Sequence, residues 1–415
     1  MSVGGEPWYG FCCSSVLELK GGLLDLRLLG LASGTFAIGT GSFVFAGLLG
    51  GVAEDLSVSV ATAGQLITLY AVVYAVGSPV LVTITNRIMR RRLLILSLAI
   101  FAAANVAAVV IPSFGPLLAS RVVAACAAAI FTPTSAAVAA ALAPPEKRGQ
   151  ALAVVTGGLT IAFAFGIPLG TLVGDYFGWR AAFVLVGVLG TVGVLGIGAV
   201  LPEVENPPPV SLRERLGAVG QPAVFVTLSL TIVGLGCGFV VFTYIGPLLG
   251  DLTGFGGRGV SAMLLLFGVA AIAGNVLGGY GADRWGYERS LAAIFVVLTL
   301  SLLAFSLLTP VAGSSLASLG TGVALVVWSV AGWALTPFQQ YRLIWLAPRT
   351  QSVVLSLNAS SIYLGQGIGA GLGSLAILYG SLASLGWVAA LWAATGLLVL
   401  LLGTRRTAPK PDNPG

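Results

Sequence analysis

The sequence predicts an all-α membrane protein: twelve transmembrane helices in two pseudo-symmetric six-helix bundles. Three observations carry that expectation. Of the 415 residues, 57% are hydrophobic and only 8% charged, whereas a soluble domain carries charge at roughly a quarter of its positions. The apolar residues come in repeated runs of about twenty, the length a helix needs to cross the hydrocarbon core. Signature residues then recur at an offset of about half the chain, as in bundles built from parallel repeats. Lipid offers backbone N–H and C=O groups no partners, so each run must be helical.

Residues 1–25 read as an N-terminal tail and not as a secretory signal, because Glu6 precedes any basic residue and no small-residue cleavage site follows a short apolar core. The first half, 26–201, holds spans at 26–50, 62–84, 91–112, 115–142, 149–174 and 180–201. A polar stretch, 202–221, follows; its run Pro207, Pro208, Pro209 cannot continue a helix and reads as a linker. The second half, 222–404, holds spans at 222–250, 258–281, 288–310, 314–346, 351–380 and 382–404, and residues 405–415 form a tail.

Loop charge sets orientation. Arg87, Arg90, Arg91, Arg92, Lys147, Arg148, Arg284, Arg289 and Arg349 fall in even-numbered loops, with Arg213 and Arg215 in the linker and Arg405, Arg406 and Lys410 in the tail. The odd loops hold only Arg180 and Arg258. That asymmetry predicts a multi-pass protein of the plasma (inner) membrane with both termini and the linker cytoplasmic. It also accounts for the net charge of +6 without a nucleic-acid partner, since no extended basic face exists.

The chain contains no histidine, which excludes imidazole ligands, His-based catalysis and His proton relays. Cys12 and Cys13 are adjacent while Cys126 and Cys237 lie in separate spans, so no metal-ligand spacing exists. Neither an enzyme nor a cofactor or metal is expected.

The halves echo one another in three places. Gly77 precedes Asn86-Arg87 by the same spacing with which Gly274 precedes Asp283-Arg284. Gly166, Gly170, Gly174 and Gly178 match Gly365, Gly369 and Gly373 at a period of four, and Thr132-Pro133 matches Thr336-Pro337. The glycine rows let helix backbones approach closely, and Pro168 should bend span five. Arg121 is the only charged side chain well inside a predicted span, where it costs roughly 2.5–3.5 kcal/mol. It reads either as a cavity-lining, substrate-orienting group or as a residue snorkelling to the nearby outer interface.

These loop and span signatures resemble the major facilitator superfamily over nearly the whole chain. The Gly77 to Arg92 segment is similar to its loop motif, Arg121 to its span-four arginine, and Gly166 to Phe183 to its span-five antiporter motif, with Gly166, Pro168 and Gly170 at the motif positions. GTFAIGTGSFVFAGLL, PPEKRGQALAV and LSLNASS resemble the twelve-span drug–proton antiporters of the arabinose-efflux and chloramphenicol-efflux type. Asn86 stands where the loop motif usually has an acid, although Asp283 keeps it in the second half, and Ser42 stands where relatives often carry a glutamate. The resemblance implies efflux by alternating access, with protons as a coupled ion.

Arg87 and Arg91 are then candidates for a cytoplasmic latch, Glu146 being the expected partner of Arg87; topology alone would also explain the cluster. Candidate cavity residues are Ser42, Tyr74, Arg121, Phe131, Phe242, Trp333, Gln339, Gln340, Asn358, Tyr363 and Gln366, the amides because lipid exposure would be costly for them. Acidic residues occur only at loops, termini and span ends. Asp175 and Asp25 are the nearest candidates for proton coupling. A cavity without acids suits a small neutral or amphipathic solute: a drug, a sugar or a nucleoside. A monomer is expected; an uncoupled facilitator, or a sensor that binds without transport, would share the same fold.

Overall fold

The computed structural model describes residues 26–144, 148–204, 220–284, 286–347 and 351–407. Eleven helices among them are long and apolar enough to cross a membrane, and a twelfth span is a bent pair, Leu26–Phe43 followed by Phe45–Asp55 at 45°. The bent pair is span one. Spans two to six are Val60–Ile84, Arg90–Val109, Phe114–Leu142, Arg148–Phe177 and Trp179–Val200. Span seven is Pro222–Phe242 continued by Ile245–Thr253; spans eight to twelve are Gly257–Arg284, Tyr287–Leu307, Ser315–Leu346, Gln351–Tyr379 and Ser384–Thr407. Residues 205–219, most of the expected linker, lie outside the described residues.

Local chemistry explains where the helices start and turn. Ser59 and Ser314 cap spans two and ten, each accepting a backbone N–H at 3.0 and 3.1 Å and so satisfying a donor the helix cannot. Gly178 and Gly254 adopt φ of 84° and 71°, allowing the abrupt turns from span five to six and from seven to eight.

The two halves pack alike. In the first, span one lies against five and six, two against four, and three against four and six; in the second, span seven lies against eleven and twelve, eight against ten, and nine against ten and twelve. Adding six to each number converts one set into the other. The glycine rows explain one of these pairings. A Cβ on Gly166, Gly170 or Gly174 would collide with Thr40, Val44 or Leu48 of span one, while one on Gly365, Gly369 or Gly373 would collide with Ile232, Gly236 or Tyr244 of span seven. Both rows are therefore seams within a half, not sliding surfaces between halves. Span five continues through Pro168 as one membrane-length helix. A π-helical turn, Ala162–Gly166, precedes the proline, and the wider turn accommodates the missing N–H and the ring.

Candidate functional site

The halves meet along two related seams, span two against eleven and span eight against five, with the outer segments of spans one and seven between them. All three contacts favour one end of the bundle, the end opposite the 202–221 connection. There Gln65 donates to Ser374 Oγ at 3.1 Å, and Ser374 donates to the Ala61 carbonyl at 3.2 Å. Gly257, at the start of span eight, presses on the Asp175 carboxylate, and the Arg258 guanidinium lies 4.7 Å from the Tyr176 ring. These contacts seal the far end.

Aromatic rings close the middle. Tyr74 stacks on Tyr363 across the seam, with centroids 3.5 Å apart and planes 21° from parallel. Beside them Phe43 and Phe163 of the first half meet Phe239, Phe242 and Trp333 of the second, at centroid distances from 4.6 Å for Phe163–Trp333 to 6.4 Å for Phe43–Phe242. Phe267 and Trp328 back this partition. Among the predicted cavity residues, Tyr74, Phe242, Trp333 and Tyr363 thus come together at the boundary of the halves. Phe131 does not; it is fully buried, and a Cβ on Gly34 would strike its ring.

Arg121 is only 1% exposed, so it does not snorkel. Its Nη2 donates to the Gly41 carbonyl at 2.9 Å and its Nη1 reaches Asn105 Oδ1 at 3.4 Å. The guanidinium lies between the Phe45 and Tyr70 rings, 4.5 and 4.6 Å from their centroids. Ser42 belongs to the same cluster, 2.7 Å from the Tyr70 hydroxyl and donating back to the Ile38 carbonyl at 2.7 Å. An unbroken helix would pair the Gly41 carbonyl with the Phe45 N–H. Insertion of a side chain into that ladder is a recognised cause of a sharp kink, and the bend of span one falls at Val44, between the two residues Arg121 touches.

The amides of the second half differ in how they are engaged. Gln339 accepts from the Tyr287 hydroxyl at 2.7 Å and donates to the Thr227 carbonyl at 3.2 Å, tying spans nine, ten and seven. Asn358 accepts from Thr231 at 2.9 Å. Gln340, one residue on from Gln339, is exposed. Gln366 is fully buried and neither end of its amide has a partner.

The loop-motif residues separate. Gly274 abuts the Val330 backbone of span ten, whereas a Cβ on Gly77 would touch only Leu81 of its own helix. Arg91 donates to the Gly198 carbonyl at 2.6 Å, at the last turn of span six, where a cation complements the helix dipole; Arg87 is exposed. Glu146 and Asp25 lie outside the described residues, as do the side chains of Asn86, Asp283 and Arg284. Among the described residues every acid, namely Glu54, Asp55, Asp175, Glu203, Asp251 and Glu288, is exposed. Trp179 is buried and donates to Asp55 at 3.2 Å, beside the 2.5 Å Arg180–Asp55 ion pair.

Sequence reasoning missed Phe43, Phe163 and Phe239, which complete the partition, and Tyr70 and Asn105, which hold Arg121. Single apolar or aromatic residues on an apolar span carry no signal of their own, whereas Asn105, an amide within span three, could have been found by the argument that picked out Gln339, Asn358 and Gln366. The half-chain offset could have found some of them, since Phe43 precedes the outer segment of span one much as Phe242 precedes that of span seven.

Comparison with known proteins agrees with this architecture. The chain is 34% identical over 372 residues to an uncharacterised MFS-type transporter, YbcL, of Bacillus subtilis (strain 168), covering 90% of this chain and 94% of that one. It is 32% identical over 390 residues to a second uncharacterised MFS-type transporter of the same organism, YtbD, covering 93% and 96%. Among solved structures, a bacterial homologue of the human lysosomal transporter Spinster, in an inward-facing and occupied conformation, superposes with a TM-score of 0.74 at 18% identity, covering 92% of this chain and 98% of that one. A peptide transporter, POT, in complex with alafosfalin gives 0.74 at 13% identity, with coverage of 91% and 94%. At those identities the likeness concerns the fold alone. The family model described as Major Facilitator Superfamily matches residues 31–344, and the chain belongs to that superfamily as a multi-pass membrane transporter.

Proposed function

We propose that this transporter exports a small neutral or amphipathic solute by alternating access, the solute binding between the halves beside the aromatic partition. One observation supports the solute class above all. The boundary is walled by Phe43, Phe163, Phe239, Phe242, Trp333 and the Tyr74–Tyr363 pair, and every described acid is exposed. A desolvated cation would find no counter-charge among those groups, whereas rings and apolar bodies gain contact area and stacking. Loop charge supports a plasma-membrane location with cytoplasmic termini, which makes the sealed end external.

The exposure of the acids also favours a second reading of the energetics. A proton-driven pump usually carries an intramembrane titratable group; with none described, uncoupled facilitation competes with proton antiport, and Asp175 at the sealed end is the acid nearest a seam. The test is a melting screen of purified protein against chloramphenicol, arabinose, uridine and the cation tetraphenylphosphonium, followed by flux of each binder in proteoliposomes with and without a pH gradient. Neutral binders that are transported support the reading. Selective binding of the cation would overturn the solute class, and binding without flux would leave a sensor in place of a transporter.

A further inference from the structure

We infer that Gln366 reads the solute, and that the solute presents an adjacent hydrogen-bond donor and acceptor, an amide- or lactam-like edge, on a flat neutral body. This rests on the transport reading above and narrows it.

Among the described residues, three amides are buried in the second half. Gln339 and Asn358 are committed to cross-links between spans, and Gln366, fully enclosed, has both Nε2 and Oε1 without a partner. Buried polar groups are bonded in the great majority of cases, so an orphaned one calls for an explanation. Hydroxyls such as Thr134 are also unpartnered, but a hydroxyl can rotate toward the carbonyl one turn back. The glutamine amide needs a donor and an acceptor together.

Its position puts that need at the meeting of the halves. On span eleven, Tyr363 stacks on Tyr74 and a Cβ on Gly367 would strike Val72, so this side of the helix faces span two. Gly365 and Gly369 face Ile232, Gly236 and Phe239 of span seven. At about 100° per residue, Gln366 stands between those two directions and points into the crease between spans two and seven. In the first half Ser42 pairs with Tyr70, and Arg121 bonds Gly41 and Asn105 through its two terminal nitrogens, only its Nε lacking a partner. When span eleven tilts off span two, the enclosed amide of Gln366 is uncovered next to rings that can stack on a planar solute.

The test compares 2-quinolinone and phenanthridinone with quinoline and phenanthridine, which have the same rings but no lactam edge. Binding is read by ligand-dependent melting on wild type, Gln366→Leu and Gln366→Met, and flux of the same compounds is measured in proteoliposomes. Wild type is expected to prefer each lactam about ten-fold or more, because a site built to pair a polar edge discriminates against compounds lacking it. Both variants are expected to lose that preference, and without any ligand to melt no lower than wild type, since an apolar side chain replaces an unpaired amide. Absence of lactam preference in wild type, its survival in the variants, or a lower ligand-free melting temperature in both variants would overturn the inference. Equal flux of lactams and parents leaves transport standing and removes the amide reading; lactam preference lost in the variants, without flux in wild type, does the reverse.

Discussion

Replacing Arg121 by methionine separates a group that shapes the transport path from one that merely holds the bundle together. The guanidinium costs roughly 2.5–3.5 kcal/mol to keep at mid-membrane. Against that stand a charge-assisted bond to the Gly41 carbonyl at 2.9 Å, worth about 1.5–3 kcal/mol, and contact with two rings at 4.5 and 4.6 Å, worth about 0.5–2 kcal/mol each when desolvated. The net runs from about −1 to about 4.5 kcal/mol in favour of the arginine, so Arg121→Met should cost at most about 4.5 kcal/mol of stability. Shape should change more. Freed from Arg121, the Gly41 carbonyl has the Phe45 N–H as its natural partner, and span one tends to straighten. Its outer segment has 11 residues, about 16 Å at 1.5 Å per residue, so removing a 45° bend moves the tip by up to about 12 Å. Spin labels on Gly51→Cys and Gly115→Cys, two positions where a Cβ meets nothing within 4 Å, read that movement in a background lacking Cys12, Cys13, Cys126 and Cys237. The expected outcome is a shifted 51–115 distance, protein retained in the membrane and flux lost. An unchanged distance with normal flux refutes the hinge, and a variant that no longer folds assigns Arg121 to stability instead.

Other perturbations are read from packing. Gly369→Val places side-chain atoms against the Gly236 backbone and should lower stability by about 1–3 kcal/mol or more as an overpacked seam, whereas Gly322→Ala, with nothing within 4 Å, should raise it by about 0.5–1 kcal/mol; thermal unfolding in detergent compares the two. Asp175→Asn removes a carboxylate that packs on Gly257 at the start of span eight. A charge there is worth about 0.3–1 kcal/mol, so the open population of the far end should rise about two- to five-fold in spin-label distances across the Asp175–Gly257 contact. Tyr363→Ala removes a stacking contact with Tyr74 of about 0.5–1.5 kcal/mol and should loosen the same end, while Tyr363→Phe, which keeps the ring, should not.

The fold was legible because a bilayer leaves a chain few options: run length, loop charge and the half-chain echo each depend on lipid excluding unpaired backbone. The bend in span one was not legible. It lies beside the contact that Arg121, about 80 residues away, makes with Gly41, and no local pattern around Gly41-Ser42 announces that. The glycine rows were visible as a period of four, but their partners were not, and they proved to seal each half internally against spans one and seven. Among the candidate site residues, amide chemistry correctly placed Gln339, Asn358 and Gln366 in the interior, yet only coordinates separate the first two, already bonded, from the third. Gln340, a rotation of about 100° from Gln339, is exposed.

The most direct measurement is flux after cross-linking the sealed seam. Ser374 Oγ lies 3.2 Å from the Ala61 carbonyl across the two halves, so Ala61→Cys with Ser374→Cys, in the background without native cysteines, can be joined by a short bifunctional thiol reagent. Flux is expected to stop in proportion to the fraction joined and to return on reduction, because the seam must part for the solute to leave. Undiminished flux from fully joined protein would contradict transport by tilting of the two halves.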